Sequence, residues 1–283
     1  MKQISAILLF LLVITVSCED QYLSTQPSHL VVEGWIEDGG YPTVIVSRSL
    51  QISEEYTGLD ELSDYIVKWA KVTVYCGEDS VILTGKYDSG YFPPYVYTTG
   101  RMIGEKGKTY SVKVEYRDMT ATAVTTIPAT GPDVEHFDME KCADSDSLYK
   151  ISVLFADDKE EKNYYQLFSR VGATNKQYSA SYLGSLDDAV LGDTTETVIY
   201  RGHSLSSTEE YTSYFRSGDS VSVKIAAIDQ TSYNFWDDYT KMLSLSVNPF
   251  MSPQRTIRSN IVNGFGCWYG MNSVQANFVI PDK

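Results

Sequence analysis

The sequence predicts a mainly β protein, with an immunoglobulin- or prealbumin-like β-sandwich in its N-terminal half. A second β-sandwich or barrel-like domain carrying one packed helix makes up the rest. Three features support this. Residues 30–127 fall into seven short runs of β-branched and aromatic residues with Gly, Pro or Asp between them, the pattern of short strands joined by tight turns. Ala129-Thr130-Gly131-Pro132 interrupts the pattern before it restarts, which marks a linker. Phe235, Trp236, Tyr239, Met242 and Leu243 then fall on one stripe at helical spacing, the single convincing helix, about residues 230–245.

In order, Leu30–Ile36 opens the folded part and Asp38-Gly39-Gly40 turns it into Thr43–Arg48. Residues 51–65 are acidic and too sparsely apolar for a core helix, so they form a loop or a short helix over one end of the sheet. Ala70–Cys76 and Ser80–Leu83 flank Gly77-Glu78-Asp79 as a hairpin. Gly90–Thr98 forms an aromatic strand, with Phe92 and Val96 on one side and Tyr91, Tyr95 and Tyr97 on the other. Tyr110–Tyr116 and Met119–Ile127 follow around Arg117-Asp118.

Beyond the linker, Val134–Met139 leads to Tyr149–Ala156, which pairs with Tyr164–Val171 through the charged turn Asp157–Lys162 as a hairpin. Gln177–Leu183 and Thr197–Arg201 are weaker strands, and Ser220–Ile228 is the strongest of this half. Asp229 or Ser232 can cap the helix, and Asn248-Pro249 ends it. The glycines of Asn260–Gly270 suggest a bulged strand or close backbone approach, and Val274–Ile280 closes the chain as a separate last strand.

The N-terminus sets the address. Lys2, the short apolar run Ile4–Val16 and Ser17-Cys18 predict a secretory signal over residues 1–17, too short to span a membrane. A cysteine at such a junction is the residue that bacteria acylate, so Cys18 is expected to carry the lipid. An ordinary signal with an incidental Cys is the alternative, and Thr15 stands where this pattern usually has Leu. Residues 18–28 are then a tether, 29–128 the N-terminal sandwich, 129–132 the linker and 133–283 the C-terminal domain.

Composition narrows the partners. A net charge of −14 and a pI near 4.6 argue against nucleic acid and against electrostatic docking on anionic lipid. Membrane attachment would come from acyl chains on Cys18. Cys76, Cys142 and Cys267 show no paired spacing, so they read as small buried apolar residues, with one bridge and one spare thiol left open.

Motifs for catalysis are weak. His29, His136 and His203 are not spaced for a metal. Gly202-His203-Ser204-Leu205-Ser206 lacks the closing Gly of a nucleophile elbow. Asp144-Ser145-Asp146 and Asp157-Asp158 lack the Gly and Glu of a calcium loop and read as solvated turns. No cofactor is expected. The candidate contact residues are aromatic: Tyr91, Phe92, Tyr95 and Tyr97 beside two prolines, and Phe265, Trp268 and Tyr269 among glycines. Either group could stack a sugar ring or contact a peptide, and core packing is the competing use of the same rings.

Leu30-Val31-Val32-Glu33-Gly34 after Cys18, Gly107-Lys108-Thr109-Tyr110, Asn163-Tyr164-Tyr165, and Ser259-Asn260-Ile261-Val262-Asn263-Gly264-Phe265-Gly266 together resemble a family of Bacteroidota surface lipoproteins catalogued as a domain of unknown function. The resemblance spans nearly the whole mature chain. Members are typically encoded beside TonB-dependent outer-membrane transporters, which implies a non-catalytic accessory or ligand-binding partner of a nutrient transporter, anchored in the outer membrane and facing the exterior. Glu19 and Asp20 match the acidic residues that direct such lipoproteins to the surface. The family supplies no catalytic residues. A fimbrial or adhesin subunit and a surface glycosidase are the alternative readings.

Overall fold

The computed structural model describes residues 28–49, 61–157, 160–203, 211–246 and 256–282. Cys18, Glu19, Asp20, the tether up to residue 27, most of the 51–65 segment, Ser204–Ser206 and Asn248-Pro249 lie outside the described residues.

The chain is mainly β, as its sequence predicts, with one α-helix among the described residues. The first half contains β1 (Leu30–Glu37), β2 (Thr43–Arg48), β3 (Lys71–Cys76), β4 (Asp79–Ile82), β5 (Thr84–Tyr87), β6 (Tyr95–Thr98), β7 (Thr109–Tyr116) and β8 (Met119–Thr126), with a 3₁₀ turn at Glu61–Tyr65. The second half contains β9 (Asp133–Lys141), β10 (Leu148–Ala156), β11 (Tyr164–Val171), β12 (Ser179–Asp187), β13 (Thr194–Ile199), β14 (Phe215–Arg216) and β15 (Ser220–Ala227). Helix α1 (Gln230–Ser246) and the long strand β16 (Gly264–Val279) complete it.

One eight-stranded sheet, in the order β12-β11-β15-β16-β1-β2-β6-β5, runs through both halves. Two smaller sheets cover its inner face. The sheet β4-β3-β7-β8 closes the first core, where Leu30, Val32 and Ile36 meet Val72, Val74, Val112, Val114 and Trp268. The sheet built on β10 with β9, β13 and β14 closes the second, around Ile151, Val153, Phe155, Leu167, Val223 and Ile225. Each core is a two-layer sandwich whose inward residues alternate along their strands.

Helix α1 lies on the opposite, outer face of the long sheet. Asp229 caps it, its Oδ1 accepting from Ser232 N at 2.8 Å. Its Tyr233, Phe235, Trp236 and Tyr239 pack on Phe168, Ala226, Cys267 and Tyr269, forming a third apolar cluster. The alternation of β16 divides its residues between layers: Trp268 enters the first core, while Cys267 and Tyr269 join the helix layer. The same alternation puts Leu30, Val32 and Ile36 of β1 inward and Trp35 outward.

The structure corrects several expectations from sequence. Tyr149–Ala156 and Tyr164–Val171 do not form a hairpin: β10 pairs with β9, β13 and β14, and β11 with β12 and β15. The two strands lie in facing sheets, and Phe155 and Tyr165 meet edge to face at 5.2 Å through the core. The predicted bulged segment and last strand are one continuous strand. In β16, Gly264–Met271 runs parallel to β1, and Asn272–Val279 runs antiparallel to β15. A domain cut at 129–132 therefore leaves the first sandwich without the strand that brings Trp268.

Two glycines explain why β16 can take that place. At Gly34, directly opposite Trp268, a Cβ would come within 2.9 Å of the indole. Gly266 has φ of 110° and a Cβ there would collide with the Val32 carbonyl. Both positions need the bare backbone. Of the cysteines, Cys267 is buried, but Cys76 and Cys142 are only half-buried, and all three are free thiols.

Candidate ligand-binding site

Helix α1 covers the outer face of the long sheet over β12, β11 and β16, and the strands from β1 to β5 lie beyond it. Over those strands lies a cleft of about 770 Å³, with a deeper annex of about 120 Å³ that shares Trp35, Glu37, Tyr91 and Lys176 with it.

Strand register builds its floor. Tyr269, Trp35, Thr43, Thr98 and Thr84 are direct neighbours across β16, β1, β2, β6 and β5. Residues opposite one another share a face, so two rings and three hydroxyl-bearing side chains form one row across the sheet. Thr43, Thr98 and Thr84 line the cleft beside Trp35. From Trp35 to Thr84 the row spans three strand spacings, about 14 Å.

Trp35 is at the apolar end of that row. Tyr269 packs beneath it at 6.3 Å between ring centres, and Tyr91 flanks it at 6.2 Å. Tyr269 is in turn stacked on Phe168 and held edge-on by Trp236 of the helix. Burial and the neighbouring Glu33 drive the Tyr269 hydroxyl's pKa well up, so it stays neutral.

Glu37, two residues on, faces the same way. Both its oxygens accept from Lys224 Nζ, at 2.8 and 2.6 Å, and the Ser273 hydroxyl donates to Oε1. Lys224 is 4% exposed, and its ammonium also lies 4.5 Å from the ring centre of Tyr178. The Arg170 guanidinium sits 4.8 Å from the same ring.

The wall carrying Tyr91 is a turn from the first half clamped by a turn from the second. Asp88 Oδ1 accepts from Gly90 N at 3.1 Å, and Lys176 Nζ donates to both Asp88 oxygens at 3.1 and 2.8 Å. Lys176 N donates to the Gly90 carbonyl at 2.8 Å. The bond from Lys176 holds the Asp88 carboxyl below its ordinary range, so it is ionised at neutral pH.

Behind the wall, Phe92 N donates to Gln177 Oε1 at 2.9 Å, and Gln177 Nε2 donates to Glu33 Oε1 at 3.0 Å. Burial raises the Glu33 pKa, and the Gln177 bond only partly offsets it. A carboxyl whose folded pKa exceeds its unfolded value destabilises the fold once it ionises, so stability falls as pH rises through that interval. Glu33→Gln, which can still accept from Gln177, should therefore stabilise the protein at neutral pH, with the gain shrinking towards acid. Melting temperatures of the two proteins across pH 3–8 check this, about that range being where a raised carboxyl titrates.

The structure distributes the predicted aromatics unequally. Tyr91 and Tyr269 meet around Trp35. Phe92 is half-buried and contributes its backbone N–H to Gln177. Tyr95 is half-buried, its hydroxyl donating to the Lys68 carbonyl at 2.9 Å. Tyr97, 2% exposed, is a core residue whose hydroxyl donates to the Val67 carbonyl and accepts from Ala70 N; burial pushes its pKa up to about 12. Trp268 is fully buried, its indole N–H donating to the Tyr110 carbonyl. Neither Tyr97 nor Trp268 is a contact residue.

The expected two-sided strand over Gly90–Thr98 fails because residues 88–94 form turns and the ladder begins at Tyr95. Two prolines without N–H groups cannot join it earlier. Phe265 is exposed, edge-on to His29 at the other end of β1 from Glu37 and away from the cleft.

Sequence reading missed Trp35, Glu37, the three threonines, Lys86, Asp88, Arg101 and Lys176, all of which line the cleft. One signal was available: Trp35 alternates with Leu30-Val32-Ile36 on β1, so a large ring stands among polar outward residues. Among the described residues no three His, Cys, Asp or Glu side chains converge as a metal would require, and no helix is long and apolar enough to cross a membrane.

No curated protein matches the chain. Its residues 16–276 match the family described as Domain of unknown function (DUF4249), and the chain belongs to that family.

Proposed function

We propose that this is a non-catalytic surface lipoprotein that holds a glycan in the Trp35 cleft on behalf of a TonB-dependent outer-membrane transporter. The observation that carries it is the row of Trp35, Thr43, Thr98 and Thr84 on the part of the sheet's outer face that the helix leaves open. An aromatic face packs against the polarised C–H groups of a sugar ring, and a line of hydroxyls beside it meets the sugar's own hydroxyls.

A peptide suits this floor less well. Peptides that add to sheets use an unpaired strand edge, whereas β1, β2 and β6 are each paired on both sides. Over Trp35, Thr43 and Thr98 a ligand is gripped by side chains standing on the sheet, and β5, at the rim of the floor, ends the sheet.

The carboxylates favour binding over hydrolysis. Glu37 is held by Lys224 and Asp88 by Lys176, which keeps Asp88 ionised. A glycosidase acid needs the opposite, a carboxyl protonated near neutral pH. Burial raises the Glu33 carboxyl, but Glu33 is hydrogen-bonded to Gln177 behind the wall and does not line the cleft.

Position supports the tethered reading. The tether leads into β1 at Leu30, and the cleft sits at the far end of that strand, about 23 Å away at the usual rise per residue. A lipid on Cys18 would thus attach the protein at the opposite end from its cleft. The lipoprotein-type junction, Glu19-Asp20 and the motif order that resembles Bacteroidota surface lipoproteins support the address and the transporter partner.

Purification of the detergent-solubilised protein from its own cells tests the assignment. A TonB-dependent transporter is expected in fixed ratio, and Cys18→Ala should abolish membrane attachment. Recovery as polymeric fibres, or a wild-type product released without lipid, would overturn it.

A further inference from the structure

Charge around the cleft departs from that of the molecule. The protein carries −14 overall, yet Lys86, Lys176 and Arg101 line the cleft together with the carboxylates Glu37 and Asp88. Glu37 is already matched by the buried Lys224 at 2.6 Å. Asp88 is shared by two lysines, with Lys176 Nζ at 2.8 Å and Lys86 Nζ at 3.7 Å. Arg101 is exposed and makes no ion pair among the described residues. The cleft therefore has surplus positive charge in an acidic protein.

Like charges gathered in this way repel one another. An anionic ligand would relieve that repulsion. We infer that the cleft is built for an acid-bearing saccharide, with a sugar ring on Trp35 and Tyr91 and a carboxylate or sulfate group reached by Lys86, Lys176 and Arg101.

The arrangement fits such a molecule in two respects. The ring site and the cations line the same concave surface, so one short oligosaccharide can touch both. Lys176 is also fixed on its backbone by the Gly90 carbonyl, which limits the freedom lost when its ammonium engages a ligand. Guanidinium and ammonium donors to an anion make the stronger class of hydrogen bond.

This inference rests on the reading of the cleft as a glycan site, and the experiment separates the two. Oligogalacturonate, a chondroitin sulfate oligosaccharide and a neutral xylo-oligosaccharide are titrated calorimetrically into the full protein, then into Arg101→Ala and Lys86→Ala. At least one acidic probe should bind well above the neutral one, and the two acidic probes distinguish a carboxylate from a sulfate preference. Binding should weaken as salt rises, because the cations are partly exposed and screened. Each substitution should weaken the preferred acidic probe about tenfold, the size of one charge-assisted hydrogen bond, and weaken it more than any neutral probe. Equal affinity for neutral and acidic probes, indifferent to both substitutions, would overturn the acidic preference and leave the glycan site standing. Failure of all three probes to bind, with an acidic peptide binding instead, would overturn both.

Discussion

Glu37→Ala is expected to lower the stability of the folded protein by about 3 kcal/mol, the usual cost of removing one partner from a buried ion pair. Lys224, only 4% exposed, would remain in the sheet with its carboxylate gone. Ser273, which donates to Glu37, would lose its acceptor as well. The Tyr178 ring at 4.5 Å softens the loss but cannot replace two charged hydrogen bonds. Urea unfolding followed by tryptophan fluorescence should show a lower midpoint with an unchanged slope.

The pair joins the two halves of the chain, since Glu37 ends β1 and Lys224 lies in β15. Replacing both by neutral residues, Glu37→Gln with Lys224→Met, should recover most of the loss, because a buried pair exchanged for apolar or neutral groups is often energetically neutral. A double variant as unstable as the single one would mean that the loss comes from packing and not from the stranded charge.

Much of the fold was legible because its strands are short and their turns are chemically explicit. Asp38-Gly39-Gly40 and Gly77-Glu78-Asp79 carry glycines at positive φ where the chain reverses, and the strands on either side fall where alternation puts them. The helix stripe was legible for the same reason, since Phe235, Trp236 and Tyr239 share one face and that face is the packed one. Pairing partners were not. Alternation assigns a residue to a face but does not name the neighbouring strand, so β10 and β11 look like a hairpin although they lie in facing sheets.

Strand β16 shows the second limit. Its glycines read locally as a bulged strand or a close backbone approach, and Gly264 and Gly266 are places where it passes tightly against the β1 backbone. Only the distant pairing of Gly264 with Leu30 and of Gly266 with Val32 names the backbone they approach. The cleft was hidden for a similar reason: Trp35, Thr43, Thr98 and Thr84 are scattered in sequence and meet only through register. The aromatic segment drew attention to Tyr91, which lines the cleft, and to Tyr97, which a hydroxyl bonded to Val67 keeps in the core.

Trp35→Ala should abolish most of the ligand affinity. A central tryptophan in a binding surface typically contributes 2 kcal/mol or more on truncation, about a thirtyfold loss. Trp35→Leu should lose nearly as much, because it keeps apolar volume but not the flat face that a sugar ring packs on. Trp35 is half-buried between Tyr91 and Tyr269, so both variants are compared with wild type at matched folded fraction, judged by thermal melting. The direct measurement is the binding of wild type and the two Trp35 variants to one immobilised glycan panel containing neutral and acidic saccharides. A set of glycans retained by wild type and lost by both variants is the predicted result. Retention of the same glycans at undiminished strength by folded Trp35→Ala would contradict the assignment of the cleft.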